Sequence, residues 1–174
     1  NDIHNVVVSE QPVWCREETV SFNVDADDAA GSCLWNPGLW PSNPLSREKP
    51  DARMLTATML DLAVTKAPTL IKIDAEGAEE AILEGAALIL HDHYPFVIAE
   101  LNPFGMQQMG GTQESLRAFM NELDYDMFLL HDDGSLPALI PPKTKLGGDR
   151  LNANVLFSTI DAVGEVWDEV VLCA

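Results

Sequence analysis

Residues 70–79 read Leu70-Ile71-Lys72-Ile73-Asp74-Ala75-Glu76-Gly77-Ala78-Glu79. The first half of this stretch is apolar except for Lys72, a pattern that predicts a buried strand over residues 69–74. Between residues 77 and 91 the apolar side chains recur at the spacing of one helical face, which predicts a helix. A strand followed at once by a helix begins a strand–helix–strand unit, and such units build parallel sheets with right-handed crossovers.

The sequence on both sides of this stretch continues the alternation. A helix is predicted to begin after Thr112, which has the chemistry of an N-cap. Further strands are predicted at residues 5–9, 19–24, 54–58, 95–101, 125–131 and 154–158. The fold class that follows is α/β, with a mostly parallel sheet and a β-rich stretch at its start.

Two segments depart from this regular pattern. Residues 25–50 are rich in proline and glycine and contain Trp35 and Trp40, so we predict a long irregular loop. The two tryptophans would either form a lid over a ligand or seal the loop against the core. Residues 159–174 are predicted to form a C-terminal tail with one short helix. We expect residues 1–174 to form a single domain.

Composition restricts the classes of function. The chain has 174 residues, of which 47% are hydrophobic, and this favours one domain with a sizeable core over a disordered chain. Ten Lys and Arg against 28 Asp and Glu give a net charge of −18, which disfavours binding to nucleic acid or to an anionic membrane surface. The three cysteines form no disulfide or zinc pattern, so we predict a cytoplasmic protein.

Charged side chains lie in the predicted strand at 69–74 and directly after it. Lys72 and Asp74 are two residues apart and therefore project from the same face of the strand. They lie at its carboxyl end, which is where open α/β sheets bind ligands. A lysine in an apolar strand is costly unless it is paired, and Asp74 and Glu76 are the available partners. A purely structural ion pair and a helix-capping role for Asp74 remain alternatives.

The next predicted strand ends in a similar way, with Glu100 and Asn102. If the two strands are parallel neighbours, Asp74, Glu100 and Asn102 converge on one crevice. Such a set of acids and an amide can bind a divalent cation, orient a hydroxyl group or accept its proton. Alternatively, Glu100 pairs with Lys72, and Asn102 only begins the turn into Pro103.

The run from Lys72 to Glu79, followed by Leu83, by Gly85-Ala86 and by Glu100, resembles the C-terminal half of FkbM-type S-adenosylmethionine-dependent methyltransferases. Only residues 70–86 carry a specific likeness. Weaker similarities extend it over residues 5–158, at positions 5–6, 12–13, 31–34, 58–61, 123–125 and 154–157.

The resemblance implies a partial Rossmann-like domain of the class I methyltransferase kind. The glycine-rich turn and the acidic strand end that hold the cofactor in this class are absent from the sequence. We therefore expect the chain to be the C-terminal portion of such a domain and to be inactive by itself.

The resemblance also implies a reaction, namely methyl transfer from S-adenosylmethionine to a hydroxyl group of a sugar, a polysaccharide or a natural product. Asp74 would contact the cofactor and orient or deprotonate the acceptor, and Lys72 would keep Asp74 in its carboxylate form. Glu76, Glu100 and Asn102 would line the acceptor pocket. Glu10 and Gln11 would approach the adenine of the cofactor.

Two alternatives accompany this hypothesis of methyl transfer. In the first, a magnesium ion lies between Asp74, Glu100 and Asn102 and lowers the pKa of the acceptor hydroxyl, although the resemblance does not require a metal. In the second, the chain is a degenerate methyltransferase-like domain that serves as an acidic interaction or scaffold module.

Overall fold

The computed structural model describes residues 4–24, 33–34, 51–146, 152–167 and 171–172. Its elements, in chain order, are β1 (Glu18–Val24), β2 (Asp51–Ala57), α1 (Leu60–Ala63), β3 (Leu70–Ile73), α2 (Glu79–Glu84), α3 (Ala87–His93), β4 (Phe96–Leu101), α4 (Pro103–Gln108), α5 (Gln113–Glu122), β5 (Asp126–Leu129), β6 (Ala138–Leu139), β7 (Ala153–Ser158), α6 (Ile160–Trp167) and β8 (Val171–Leu172). Within this part of the chain, no helix is both long and apolar enough to span a bilayer.

The main sheet has six strands in the order β3-β4-β7-β5-β6-β8. Strands β3 and β4 are parallel, and helices α2 and α3 make the crossover between them. Strand β7 is antiparallel to both β4 and β5, so these two strands run in the same direction although they are not neighbours. The α/β class is confirmed.

The expectation of a mostly parallel sheet is wrong, because two of the five strand pairs in the described main sheet, β3–β4 and β6–β8, are parallel and the other three are antiparallel. Parallel neighbours require a crossover connection, which is usually a helix. The described residues between β5 and β7 contain no helix, and β7 enters the sheet antiparallel between β4 and β5.

Strands β1 and β2 form a separate antiparallel pair, in which Glu18 lies opposite Ala57. The strands predicted at 19–24 and 54–58 are therefore confirmed. The strand predicted at 5–9 is wrong, because these residues are exposed and form no strand, and Val7 is 96% exposed. A β-branched run needs a neighbouring strand to satisfy its backbone groups and to cover its side chains. The first pairing of the described chain is the bridge between Val13 and Thr58.

The main core lies between one face of the sheet and helices α2 to α5. The helix predicted at 77–91 is divided in two at Gly85, where a side chain would overlap the carbonyl oxygen of Trp14. The N-terminus of helix α3 is capped by a side chain distant in sequence. The Asp61 carboxylate accepts hydrogen bonds from the backbone N–H groups of Leu88, at 3.1 Å, and Ile89, at 2.9 Å. No local sequence pattern predicts this long-range cap.

Helix α6 covers part of the opposite face of the sheet. Its Val163 packs with Phe128 and Leu156, and its Trp167 meets Phe96 edge-on at 6.3 Å. This is the short helix predicted in the C-terminal tail. The cover leaves Leu70 and Lys72 of β3 exposed. Most of the predicted loop at 25–50, including Trp35 and Trp40, lies outside the described residues.

Candidate functional site

The carboxyl end of β3 carries an exposed ion pair. Burial alternates along this strand, with Ile71 and Ile73 in the main core and Lys72 on the opposite face. The Lys72 ammonium lies 3.2 Å from Asp74 Oδ2, and the two side chains are 50% and 51% exposed. An exposed ion pair contributes only about 0–1 kcal/mol to folding, so this pair adds little to stability. The exposure of Asp74 also leaves its carboxylate accessible at the end of the strand.

Glu100 lies on the neighbouring strand, on the same face. Parallel pairing sets Lys72 beside Ile98 and Ile73 beside Ala99, so the next step brings Asp74 level with Glu100. Glu100 Oε1 accepts a hydrogen bond from Asn152 Nδ2 at 2.8 Å rather than pairing with Lys72. Asn152, which the sequence analysis missed, precedes β7, and it reaches Glu100 because β7 is inserted beside β4.

The loop from β3 to α2 has a constrained backbone. Glu76 and Gly77 have φ angles of 52° and 103°, a region that glycine adopts readily and other residues adopt at a cost. A side chain at Gly77 would overlap the backbone of Gly105, and one at Gly105 would overlap the carbonyl oxygen of Glu76. The loop is therefore packed backbone against backbone on the first turn of α4.

Asn102 fixes the same junction from the end of β4. It is the N-cap of α4, where its Oδ1 accepts the Gly105 N–H at 2.9 Å, and its Nδ2 donates to Glu76 Oε2 at 2.7 Å. The residue is buried. Both ends of the Asn102 amide are thus engaged, and the residue links Glu76, after β3, to the end of β4.

Glu79 caps this loop from inside. It is fully buried, and its Oε1 accepts the N–H groups of Ala75 at 3.0 Å and Gly77 at 3.1 Å. In the part of the chain that the structure describes, its Oε2 has no hydrogen-bond partner. Burial raises the pKa of Glu79, and backbone N–H groups, including those of Gly77 and Ala75, partly oppose this rise. Sequence analysis did not identify this role.

The segment with Glu10 and Gln11 is exposed and irregular. The Gln11 backbone N–H bonds to Ser9 Oγ at 3.3 Å. The chain then joins the body of the protein where Trp14 N–H donates to the Thr58 carbonyl oxygen at 2.8 Å. None of the hydrogen bonds found among the described residues connects Glu10 or Gln11 to the edge that carries Asp74.

Of the residues suggested for magnesium (Asp74, Glu100 and Asn102), Asn102 has a structural role as the N-cap of α4. The oxygen that Asn102 would offer already accepts the Gly105 N–H. Among the described residues, no group of three or more His, Cys, Asp and Glu side chains could hold a metal ion. The magnesium alternative, which also requires the amide oxygen of Asn102, stays a prediction.

Comparison with known proteins agrees with the resemblance found in the sequence. The model of the methyltransferase FkbM domain matches residues 19–127, which is more than half of the chain. The match runs from β1 into β5 and includes both strand ends described above. No curated protein and no solved structure matches the chain.

Proposed function

The chain belongs to the FkbM methyltransferase family, and from this premise we propose that it transfers a methyl group from S-adenosylmethionine to a hydroxyl oxygen. The acceptor class that the family resemblance suggests is a sugar, a polysaccharide or a natural product. The observation that carries the proposal is the accessible Lys72–Asp74 pair at the end of β3, with Glu100 beside it on the same face.

The chemistry requires a base and an aligned acceptor. S-adenosylmethionine, when bound, would supply a methyl group on a positively charged sulfur, and transfer would form a C–O bond as the C–S bond breaks and leaves its electron pair on sulfur. The acceptor hydroxyl must lose its proton, and the Asp74 carboxylate is accessible for accepting it. The ammonium of Lys72, bonded to Oδ2, would leave Oδ1 for the hydroxyl group.

The charge of this edge fits part of the cofactor. Carboxylates of Asp74 and Glu100 attract a sulfonium and accept hydrogen bonds from ribose hydroxyl groups. Glu10 and Gln11 stay in the proposal as adenine contacts. Their exposed, irregular segment would have to meet the cofactor on binding, because it does not line the strand edge as described.

A rigid frame supports positioning of the acceptor. Asn102 bonds to Glu76 at 2.7 Å, and the loop beneath is fixed against Gly105. Holding reacting groups in alignment lowers the barrier of a bimolecular reaction considerably. We propose that Glu76 and Glu100 line the acceptor pocket and that Asn102 acts by holding Glu76 in place.

The test begins with cofactor binding. S-adenosylhomocysteine is titrated by calorimetry into this chain and into a form extended at its N-terminus. Binding by the longer form supports the proposal, and the Asp74→Asn variant is then assayed for methyl transfer to a panel of sugars and polysaccharides. Asp132→Asn, at an exposed turn, is the matched control. Absence of binding by both forms would refute the cofactor assignment.

A second candidate function is an interaction module that retains the family fold. The exposed valines at 6–8, together with Leu70 at 53% exposure, favour it because they are apolar surface without cover among the described residues. This candidate gains support if neither form binds S-adenosylhomocysteine.

A further inference from the structure

A groove of about 390 Å³ lies between helix α5 and the turn at 142–145. The helix contributes residues from successive turns of one face, and the turn contributes its four residues. The lining consists of Gln113, Glu114, Arg117, Ala118, Asn121, Met127, Pro142, Lys143, Thr144 and Lys145. The volume suits a small molecule rather than a polymer.

The charge of the groove is opposite to that of the protein. Arg117, Lys143 and Lys145 are three of the ten Lys and Arg residues in a chain of net charge −18. Glu114 is the single acidic residue of the lining. A concave site with an excess of cations attracts anions even when the rest of the surface repels them.

Arg117 is a buried residue of the groove lining, and its side chain is held in place by hydrogen bonds. The residue is 9% exposed, and its guanidinium donates to the carbonyl oxygens of Thr144, at 3.3 Å, and Ile140. These bonds fix the side chain against the turn. Its buried Nε has no acceptor among the described residues. Burial lowers the pKa of Arg117, but a guanidinium stays charged throughout the physiological range.

The two lysines stand on the opposite wall. Lys143 has a φ angle of 74°, which is costly for a residue with a side chain. Lys145 Nζ lies 2.6 Å from Glu114 Oε1 across the groove. Lys145 thus already pairs with one carboxylate, which shows that this wall of the groove can accept an anionic group.

From this arrangement we propose that the groove binds a small organic anion. Its phosphate or carboxylate group would lie among Arg117, Lys143 and Lys145, and its apolar part would contact Ala118, Met127 and Pro142. Both kinds of anionic group match the planar donors of arginine.

The groove is separate from the proposed methyl-transfer edge. Helix α5 packs on the face of the sheet that carries Ile71 and Ile73, whereas Lys72 faces the other side. The inference is thus independent of the proposed function, and its test does not require methyl transfer.

The test uses phenyl phosphate and benzoate as probes, with phenol as the neutral control. Calorimetry on the full chain should give saturable binding of at least one anion, weakened by added salt, and none of phenol. The Lys143→Gln/Lys145→Gln double variant should weaken binding at least about tenfold, since it removes two charge-assisted contacts, which are stronger than neutral ones. Lys66→Gln, an exposed lysine outside the groove, should leave binding unchanged.

The Glu114→Gln variant is expected to strengthen anion binding rather than weaken it. It removes the carboxylate that competes for Lys145, so binding should tighten about two- to fivefold, as expected for an exposed ion pair. Equal binding of phenol, no binding of either anion, or an equal loss in Lys66→Gln would overturn the proposal. Because these positions are exposed, the variants are expected to fold.

Discussion

Gly77 and Gly105 face each other without room for a side chain on either. The carbonyl carbon of Gly105 occupies the space of a Cβ on Gly77, and the carbonyl oxygen of Glu76 occupies the space of a Cβ on Gly105. The loop that follows β3 and the first turn of α4, which follows β4, are therefore in direct backbone contact. Glu76, whose carbonyl oxygen takes part in this contact, also accepts a hydrogen bond from Asn102.

The first prediction concerns this contact. Gly77→Ala should lower the free energy of unfolding by at least about 2 kcal/mol, because the alanine must adopt a φ of 103° and also displace the backbone of Gly105. Gly134→Ala is the matched control, since Gly134 has a φ of 75° but has open space where the alanine Cβ would lie. Urea denaturation measures both. Equal losses would mean that backbone conformation, not the contact, explains the effect.

The second prediction separates catalysis from stability. Asp74→Asn and Lys72→Gln should each reduce methyl transfer, the former by about 10²–10⁴-fold if Asp74 is the base. Because the pair is exposed, both variants should stay within about 1 kcal/mol of the parent in stability. Kinetic assays and urea denaturation are compared on the same preparations. A large loss of stability with unchanged activity would assign the pair to the fold.

The third prediction is a pH dependence at Glu79. Burial raises the pKa of this carboxyl in the folded protein above its value in the unfolded chain. Its contribution to stability is therefore fully present below the unfolded pKa and is lost as pH rises through the folded pKa.

Glu79→Gln should remove that decline while keeping an oxygen for the Ala75 and Gly77 N–H groups. The measurement is the free energy of unfolding between about pH 4 and pH 7, a window that begins near the usual pKa of Glu. Glu122→Gln, on the exposed end of α5, should preserve the parent's pH profile. An identical profile in Glu79→Gln would contradict the prediction.

The fourth prediction concerns the cap on α3. Asp61→Ala should cost about 1–2 kcal/mol, because the N–H groups of Leu88 and Ile89 lose their acceptor. Hydrogen exchange should show faster opening at these two amides in particular. Asp132→Ala, at an exposed turn, should cost less than about 0.5 kcal/mol. Unchanged exchange at Leu88 and Ile89 would show that the cap does not stabilise α3.

Local patterns predicted what depends on local structure. The alternation through β3 gave the strand, the shared face of Lys72 and Asp74, and their pairing, since these follow from the two-residue repeat of a strand. Thr112 was recognised as an N-cap, and its side chain accepts the Ser115 N–H. The family match supports the resemblance that rested on residues 70–86.

Long-range contacts were beyond such patterns. The insertion of β7 between β4 and β5 depends on the path of a connection whose described residues contain no helix, and it brings Asn152 to Glu100. The valines at 6–8 have the composition of a strand but lack a partner among the described residues. Helix α4 was missed, although Asn102 followed by Pro103 is a recognisable N-cap and first-turn pair.

Strand β3 lies at the end of the sheet order, so in the described sheet only one of its sides is hydrogen-bonded to a neighbour. An open strand edge is a template for the addition of another strand, and proteins commonly counter this with a charged residue, especially lysine, on that edge. Lys72 occupies such a position. We therefore expect the ammonium that pairs with Asp74 also to oppose strand addition at this edge, so that the residue proposed to assist the reaction also protects the edge of the sheet.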